Sequence, residues 1–417
     1  MKGIVLKENR LSHAVRRIAG LCLLASLPAF AQPDTFRSPE GKARPRVVGY
    51  YTQSSIYNNF YVRNLVTSGS TRVLTQVNYA FSQILNNQCA SADTWADYQD
   101  PLSADQTVDG EADSQAAGAF AGNFHQLQEL KRRYPDLKIV LSIGGGGQNP
   151  ADFSTVAAAA NRKAFVKSCV DMYIKGQFGP GVTEPGIFDG FDIDWEYPAS
   201  DEDKDNLTAL LAEFRSQMDA VHKGMLLSIA SSAGSWACQY IDLNKVQQSI
   251  GFFGRMEYDF DGPWTNTTGL VAPLLQAKSD PSPTNNAAAA VEAYLAAGVE
   301  PQKIVFGVPF YGYEWTDMPS TNHGLFRPGI PLGDGAGYNA IAPLESSFTK
   351  YRDATTQAPW LYNGTTFWTY DDPWSLIFKM MYARDKKLGG VMAWDLSGDM
   401  PNGLLIKTVS NSLLWPR

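Results

Sequence analysis

Eight short apolar runs recur along this chain, most of them separated by stretches of helical spacing. The runs are Arg46–Tyr51, Val73–Ser82, Lys138–Ile143, Ile187–Asp194, Met225–Ser231, Phe252–Tyr258, Lys303–Phe310 and Gly389–Asp395. Helical periodicity marks Ala119–Tyr134, Asn161–Gly176, Asp203–His222, Asn286–Gly298 and Trp374–Lys387. A strand followed by a helix returns to the sheet in parallel, so the alternation predicts an α/β protein with a parallel sheet. Eight repeats predict that the sheet closes into a (β/α)8, or TIM, barrel. Polar and aromatic residues gather at the C-terminal ends of the runs, the face of such a barrel that carries chemistry. Two intervals exceed a simple crossover. Leu85–Gly118 is polar and predicts a long loop over the second strand. The interval at about 313–366 contains Trp315, Phe326, Tyr338, Trp360 and Tyr362, and predicts a small α+β insertion before strand eight that walls a cleft.

The fourth run leads into Asp189-Gly190-Phe191-Asp192-Ile193-Asp194-Trp195-Glu196-Tyr197-Pro198. Asp192, Asp194 and Glu196 stand two apart, with Phe191, Ile193 and Trp195 between them. Period two is the strand period, so one face is acidic and the other large and apolar. Alternate side chains on a strand lie about 7 Å apart, within reach of mutual hydrogen bonding. Carboxylates that share a site cannot all ionise easily, so one pKa rises. A raised carboxylic acid is what a hydrolase uses to protonate a leaving group near neutral pH. A solvated acidic face or a calcium loop is the plainer reading. The apolar alternation argues against a loop, and the glycine and oxygen-ligand spacing of an EF-hand is missing.

Residues 1–31 read as a secretory signal. Lys2, Lys7, Arg10, Arg16 and Arg17 precede the apolar run Ile18–Leu27, which is too short to span a membrane, and Ala29-Phe30-Ala31 supplies a cleavage site. Residues 32–45 form a polar lead-in, and 46–417 the barrel. A secreted protein is therefore expected, extracellular or periplasmic. The whole chain carries a net charge of −7, and loss of the basic leader makes the remainder more acidic. That argues against nucleic acid and anionic membranes as partners. Of the cysteines outside the leader, Cys169 sits in a helical pattern and reads as a buried apolar residue. Cys89 and Cys238 lie in loop-like stretches and are the expected disulfide pair. His13, His125, His222 and His323 show no pairing, and no metal site is expected.

The run Asp189–Glu196 resembles the D-G-x-D-x-D-x-E signature of glycoside hydrolase family 18, the chitinases and their relatives. Other stretches are similar to that family in the same order: Asn78-Tyr79-Ala80-Phe81, Ser142-Ile143-Gly144-Gly145, Met256-Glu257-Tyr258-Asp259, Pro309-Phe310-Tyr311-Gly312 and Gly389-Gly390-Val391-Met392-Ala393-Trp394. The resemblance runs from about Arg46 to the end and is closest to bacterial chitinases. It implies a retaining mechanism in which the substrate's own 2-acetamido group is the nucleophile. Glu196 would then be the acid, Asp194 the partner of the acetamido N–H, Asp192 a sharer of Asp194's proton, and Tyr258 the group that orients the acetamido. Substrate contacts are implied at Trp394, Asp259, Met256, Tyr50, Phe81, Gly145 and Tyr197. Asp189, Ser142 and Gly144 would support the row. The implied protein is a monomer without cofactor, acting on chitin or N-acetylglucosamine oligosaccharides.

Three positions depart from the family pattern. Gly146 stands where many chitinases carry a Trp that binds the leaving-side sugar, so that platform is expected to be missing. Tyr313 replaces an Arg, and Glu257 a small or hydroxyl residue. By alternation Glu257 points away from Met256 and Tyr258 and needs a partner. Two alternatives share the fold: an endo-β-N-acetylglucosaminidase acting on N-glycan cores, and a glycan-binding lectin. Such lectins typically lack the terminal Glu, which is present here as Glu196.

Overall fold

The side chains of the acidic strand sort by parity. Phe191 packs its ring against Phe214, 5.3 Å between centroids, and Trp195 stacks on Phe153 at 5.3 Å. Asp192 and Asp194 point the other way, into the barrel. This sorting is seen in a computed structural model of the protein, which describes residues 44–179, 181–281 and 286–414. The expected leader, with Cys22, and nearly all of the lead-in lie outside the described residues.

Eight parallel strands close on themselves: β1 (Arg46–Thr52), β2 (Gln76–Leu85), β3 (Lys138–Gly144), β4 (Gly190–Asp194), β5 (Leu226–Ser232), β6 (Phe252–Met256), β7 (Ile304–Pro309) and β8 (Gly390–Trp394). Each pairs with the next, and β8 pairs with β1 through Arg46↔Gly390 to Gly49↔Ala393. The outward residues of the strands, such as Val77, Ile139, Ile193, Ile229 and Val308, join one large apolar core with the surrounding helices. The longest of these, α1 (Asp201–Val221), follows the acidic strand directly. Ser200 caps it by accepting from Asp203 N–H, and Asp201, Glu202 and Asp203 complement the positive end of its dipole.

The register decides which residues meet inside. Ser142 on β3 lies opposite Asp192, and Asp192 opposite Ser228 on β5. Ser232 on β5 lies opposite Met256 on β6.

The insertion after β7 is a five-stranded antiparallel sheet with short helices, starting at Tyr311 and ending at Tyr370. Its Trp315, Phe326, Trp360 and Phe367 share a core with Tyr258, Val305 and Met392 from the barrel, so the two parts pack as one body.

The segment after β2 differs from the expected loop. β2 continues to Leu85 and pairs antiparallel with Gln88–Ser91. Asn86 and Asn87 make the turn at φ 52° and 60°, a left-handed region that Asn tolerates. The hairpin carries Cys89 over the helix Arg162–Cys169, where Cys89 N–H donates to Ser168 Oγ at 3.0 Å. The disulfide is therefore Cys89–Cys169, Cα–Cα 5.0 Å, in place of the expected Cys89–Cys238 pair; Cys238 is free. Helical spacing had marked Cys169 as buried, which it is, but burial did not exclude a partner arriving from outside the helix. Among the described residues no helix is long and apolar enough to cross a membrane, and no group of metal-ligating side chains occurs.

Candidate active site

The C-terminal ends of the strands surround one large cavity of about 1230 Å³. Asp194 at the end of β4 and Glu196 just past it line the cavity. Asp192 is fully buried beneath them and is held by three hydroxyls. Tyr50 donates to its Oδ2 at 2.7 Å and Ser142 at 2.9 Å, while Ser228 donates to Oδ1 at 2.6 Å. The two serines are those that the register set on either side of it.

The carboxylates differ in how well they are compensated. Burial pushes the Asp192 carboxyl up, and its hydroxyl donors oppose the shift. Asp194 is pushed well above the ordinary carboxylate range, first by burial and then by the charges of Glu196 and Asp192. Its Oδ1 is buried without a hydrogen-bond partner. Glu196, half-buried at the cavity wall, is raised by burial and by Asp259, against a hydrogen bond from Tyr197. The expected hydrogen bonding along the row is not found among the described residues: Asp192 and Asp194 interact through charge, because the hydroxyls already occupy Asp192.

The apolar floor comes from the far side of the barrel. Trp394, at the end of β8, stacks with Phe81 at 5.5 Å and 23° and meets Tyr50 at 5.2 Å. Tyr258 reaches in from the loop after β6; burial, then the charges of Asp259, Asp194 and Glu196, keep its phenol protonated as a donor. Asp259 at the lip accepts from Tyr311 at 2.5 Å and from Tyr313 at 2.9 Å, both on one oxygen. Met256 and Tyr197 also line the cavity.

Two residues sit elsewhere than expected. Asp189 does not touch the row. It lies at the N-terminal end of β4, where its carboxylate accepts from Ile139 N–H at 2.9 Å and pairs with Lys131 at 2.9 Å. Its odd number puts it out of phase with Asp192, Asp194 and Glu196, and two residues, Gly190 and Phe191, separate it from the first of them. Gly145 is buried and does not line the cavity. With φ at 82°, it lets the end of β3 come close to β4, donating to Asp194 O at 2.9 Å, and a Cβ there would strike the Phe81 ring at 2.5 Å. Gly144 and Ser142 are buried with it, Ser142 as a donor to Asp192.

Sequence reasoning missed Trp236, Trp264 and the role of the two tyrosines on Asp259. Trp236 and Trp264 line the cavity although 61% and 60% exposed. Each follows a glycine by two residues, and its indole lies over that glycine: a Cβ on Gly234 would stand 2.4 Å from Trp236, and one on Gly262 2.2 Å from Trp264. Each also meets a tyrosine edge-on, Tyr197 at 5.0 Å and Tyr313 at 5.8 Å. The repeated Gly-x-Trp after strands five and six was the available signal.

The sequence profile described as Glycosyl hydrolases family 18 matches residues 46–399. Chitinase C of Streptomyces lividans is 33% identical over 370 residues, covering 85% of this chain; the chain spans 58% of that relative's length. Among solved structures, the catalytic domain of psychrophilic chitinase B from Arthrobacter TAD20 superposes with a TM-score of 0.82 at 33% identity, covering 88% of this chain and 95% of that one. A class V chitinase from Nicotiana tobaccum, solved in complex with NAG4, gives a TM-score of 0.71 at 26% identity, covering 89% of this chain and 99% of that one.

Proposed function

The chain belongs to Glycosyl hydrolases family 18, and from that premise we propose that it is a chitinase, cleaving β-1,4 linkages between N-acetylglucosamine units with retention of configuration. The observation that carries the reading is the buried, unpartnered Oδ1 of Asp194 beside Glu196, in a cavity floored by Trp394. A buried acceptor without a donor costs about 1–3 kcal/mol, and an acetamido N–H of the substrate would supply the missing bond.

Glu196 protonates the glycosidic oxygen. Its raised pKa keeps it protonated to higher pH than an ordinary carboxyl. The acetamido oxygen attacks C1, the leaving chain departs with Glu196's proton, and an oxazolinium ion forms. Asp194 holds the acetamido N–H and balances the positive charge of that ion. Tyr258, a protonated donor, orients the acetamido from the other side. Glu196 then takes a proton from the water that opens the ring. Asp192 acts in this scheme through position: Tyr50, Ser142 and Ser228 hold its carboxyl in place under Asp194. Trp394 carries the C–H face of the sugar at the reacting subsite, where an indole buries apolar area without asking for hydrogen bonds.

The test is a time course on N-acetylglucosamine hexasaccharide, with products read by mass spectrometry and early anomers by NMR. Wild-type protein should release the β-anomer first, and Glu196→Gln should lose about 10²–10⁴-fold in kcat while still binding the oligosaccharide. Binding without cleavage by the wild type would refute the chitinase reading; an N-linked glycoprotein would then be the next substrate. We propose export as well, on the basic and apolar leader, and a monomeric state. N-terminal sequencing of the protein recovered outside the cell and light scattering check these two points.

A further inference from the structure

The Glu196 carboxyl has an open flank and a built one. On the β3 side stands Gly146, exposed, and a Cβ there would lie 3.7 Å from both Glu196 oxygens. On the β5 side stands Tyr197, hydrogen-bonded to Glu196, with Trp236 edge-on to it at 84°. β4 lies between β3 and β5, so these two flanks face each other across the acid.

Trp236 is held in place without being buried. Its indole rests on Gly234 and meets Tyr197 at 5.0 Å between centroids, yet 61% of the residue stays open to the cavity and solvent. A large aromatic in such a position forgoes most of the apolar burial it could gain, about 25 cal/mol per Å². It does present a flat, pre-oriented face.

Position assigns it a ligand. On the chitinase reading the reacting sugar lies over Trp394 on β8, whose ring meets Tyr50 of β1 and Phe81 of β2. Glu196 must touch the oxygen that joins this sugar to the next. β5 stands opposite β1 in the eight-stranded ring, so a chain that crosses Glu196 away from Trp394 arrives at Trp236. We infer that Trp236, steadied by Gly234 and Tyr197, is the stacking platform for an N-acetylglucosamine unit on the leaving side, in place of the side chain that Gly146 lacks. This rests on the chitinase reading above. It makes Trp236 a determinant of leaving-side binding, and of capture of acceptor sugars by the oxazolinium ion.

The experiment uses Glu196→Gln as background and calorimetry with two probes: N-acetylglucosamine hexasaccharide, which crosses the acid, and a disaccharide thiazoline, which ends at the reacting subsite. Trp236→Ala should weaken the hexasaccharide about tenfold, or about 1.4 kcal/mol, and leave the thiazoline unchanged. Trp236→Phe should recover most of the loss, since a flat ring remains. An unchanged melting temperature in Trp236→Ala excludes misfolding. Unchanged hexasaccharide affinity, or equal weakening of both probes, overturns the inference. If the protein with Trp236 intact binds neither probe, the chitin reading fails, and the platform with it.

Discussion

Charged side chains buried near β6 and on β4 of this barrel are compensated in opposite ways. Arg255 on β6 and Glu257 just past its end are both fully buried and bond to each other at 3.0 Å. Arg255 also donates to Ser232 O at 2.8 Å and lies over the Tyr294 ring at 3.6 Å, leaving only Nη2 without a partner. Glu257 accepts from Gly307 N–H of β7 at 2.9 Å. Lys379 and Asp371, equally buried, pair nearby. On β4, Asp194 has two like charges for neighbours and an orphaned oxygen. The Arg255–Glu257 pair ties β6 to β7, whereas Asp194 keeps a buried acceptor without a donor.

The comparison breaks most easily at Glu257. Glu257→Ala leaves Arg255 buried without its counter-charge and should cost roughly 3–5 kcal/mol of stability. Urea unfolding measures it; a loss below about 1 kcal/mol would mean that the pair does not join β6 to β7.

Asp194→Asn should do the reverse, with kcat falling about 10²–10³-fold while the melting temperature rises, since an amide removes a buried, repelled carboxyl. The pH dependence has a definite sign. Asp194 binds its proton more tightly folded than unfolded, so its contribution to stability is greatest when protonated. It is lost as pH rises from the ordinary carboxylate range through the raised folded pKa. The stability gain of Asp194→Asn should therefore grow with pH across that window. A gain that is flat, or that shrinks, would contradict the shift.

Asp97 gives a further, independent case of a buried carboxyl. Burial pushes it up to about 7, against hydrogen bonds from Ser91, Tyr79 and Gln53. Its share of stability should decline as pH rises from about 4 to about 7, a slope that Asp97→Asn would remove from a melting-temperature titration.

Gly146→Ala is the mildest probe. Its methyl would sit 3.7 Å from both Glu196 oxygens and add slightly to the burial that raises the acid. A change in kcat/KM of about twofold, some 0.4 kcal/mol, is expected, with an alkaline limb moved upward and no change in melting temperature. A large loss would mean that the open flank of Glu196 is itself occupied by substrate.

Most of the barrel was legible because it rests on local periodicity. Apolar runs mark the strands, and alternation alone told that Phe191 and Ile193 face the helices while Asp192 and Asp194 face inward. The same parity argument, applied to Asp189, would have removed it from the row. The hairpin after β2 was hidden because its strands are polar and its turn is Asn-Asn, and with it went the disulfide.

By itself the sequence determined the eightfold alternation, the inward acidic row with Glu196 at its end, and the need of Glu257 for a partner. Those follow from the period of a strand and the cost of burying a charge. Only the tertiary structure decided that Tyr50, Ser142 and Ser228 would all bind Asp192 and leave Asp194 unsatisfied. It also decided that Arg255 would be the partner of Glu257, that Cys89 would find Cys169, and that Trp236 would stand beside Tyr197. The physical reason is range: a residue's own strand sets which way it points, but inter-strand register and the path of the loops set what it meets there.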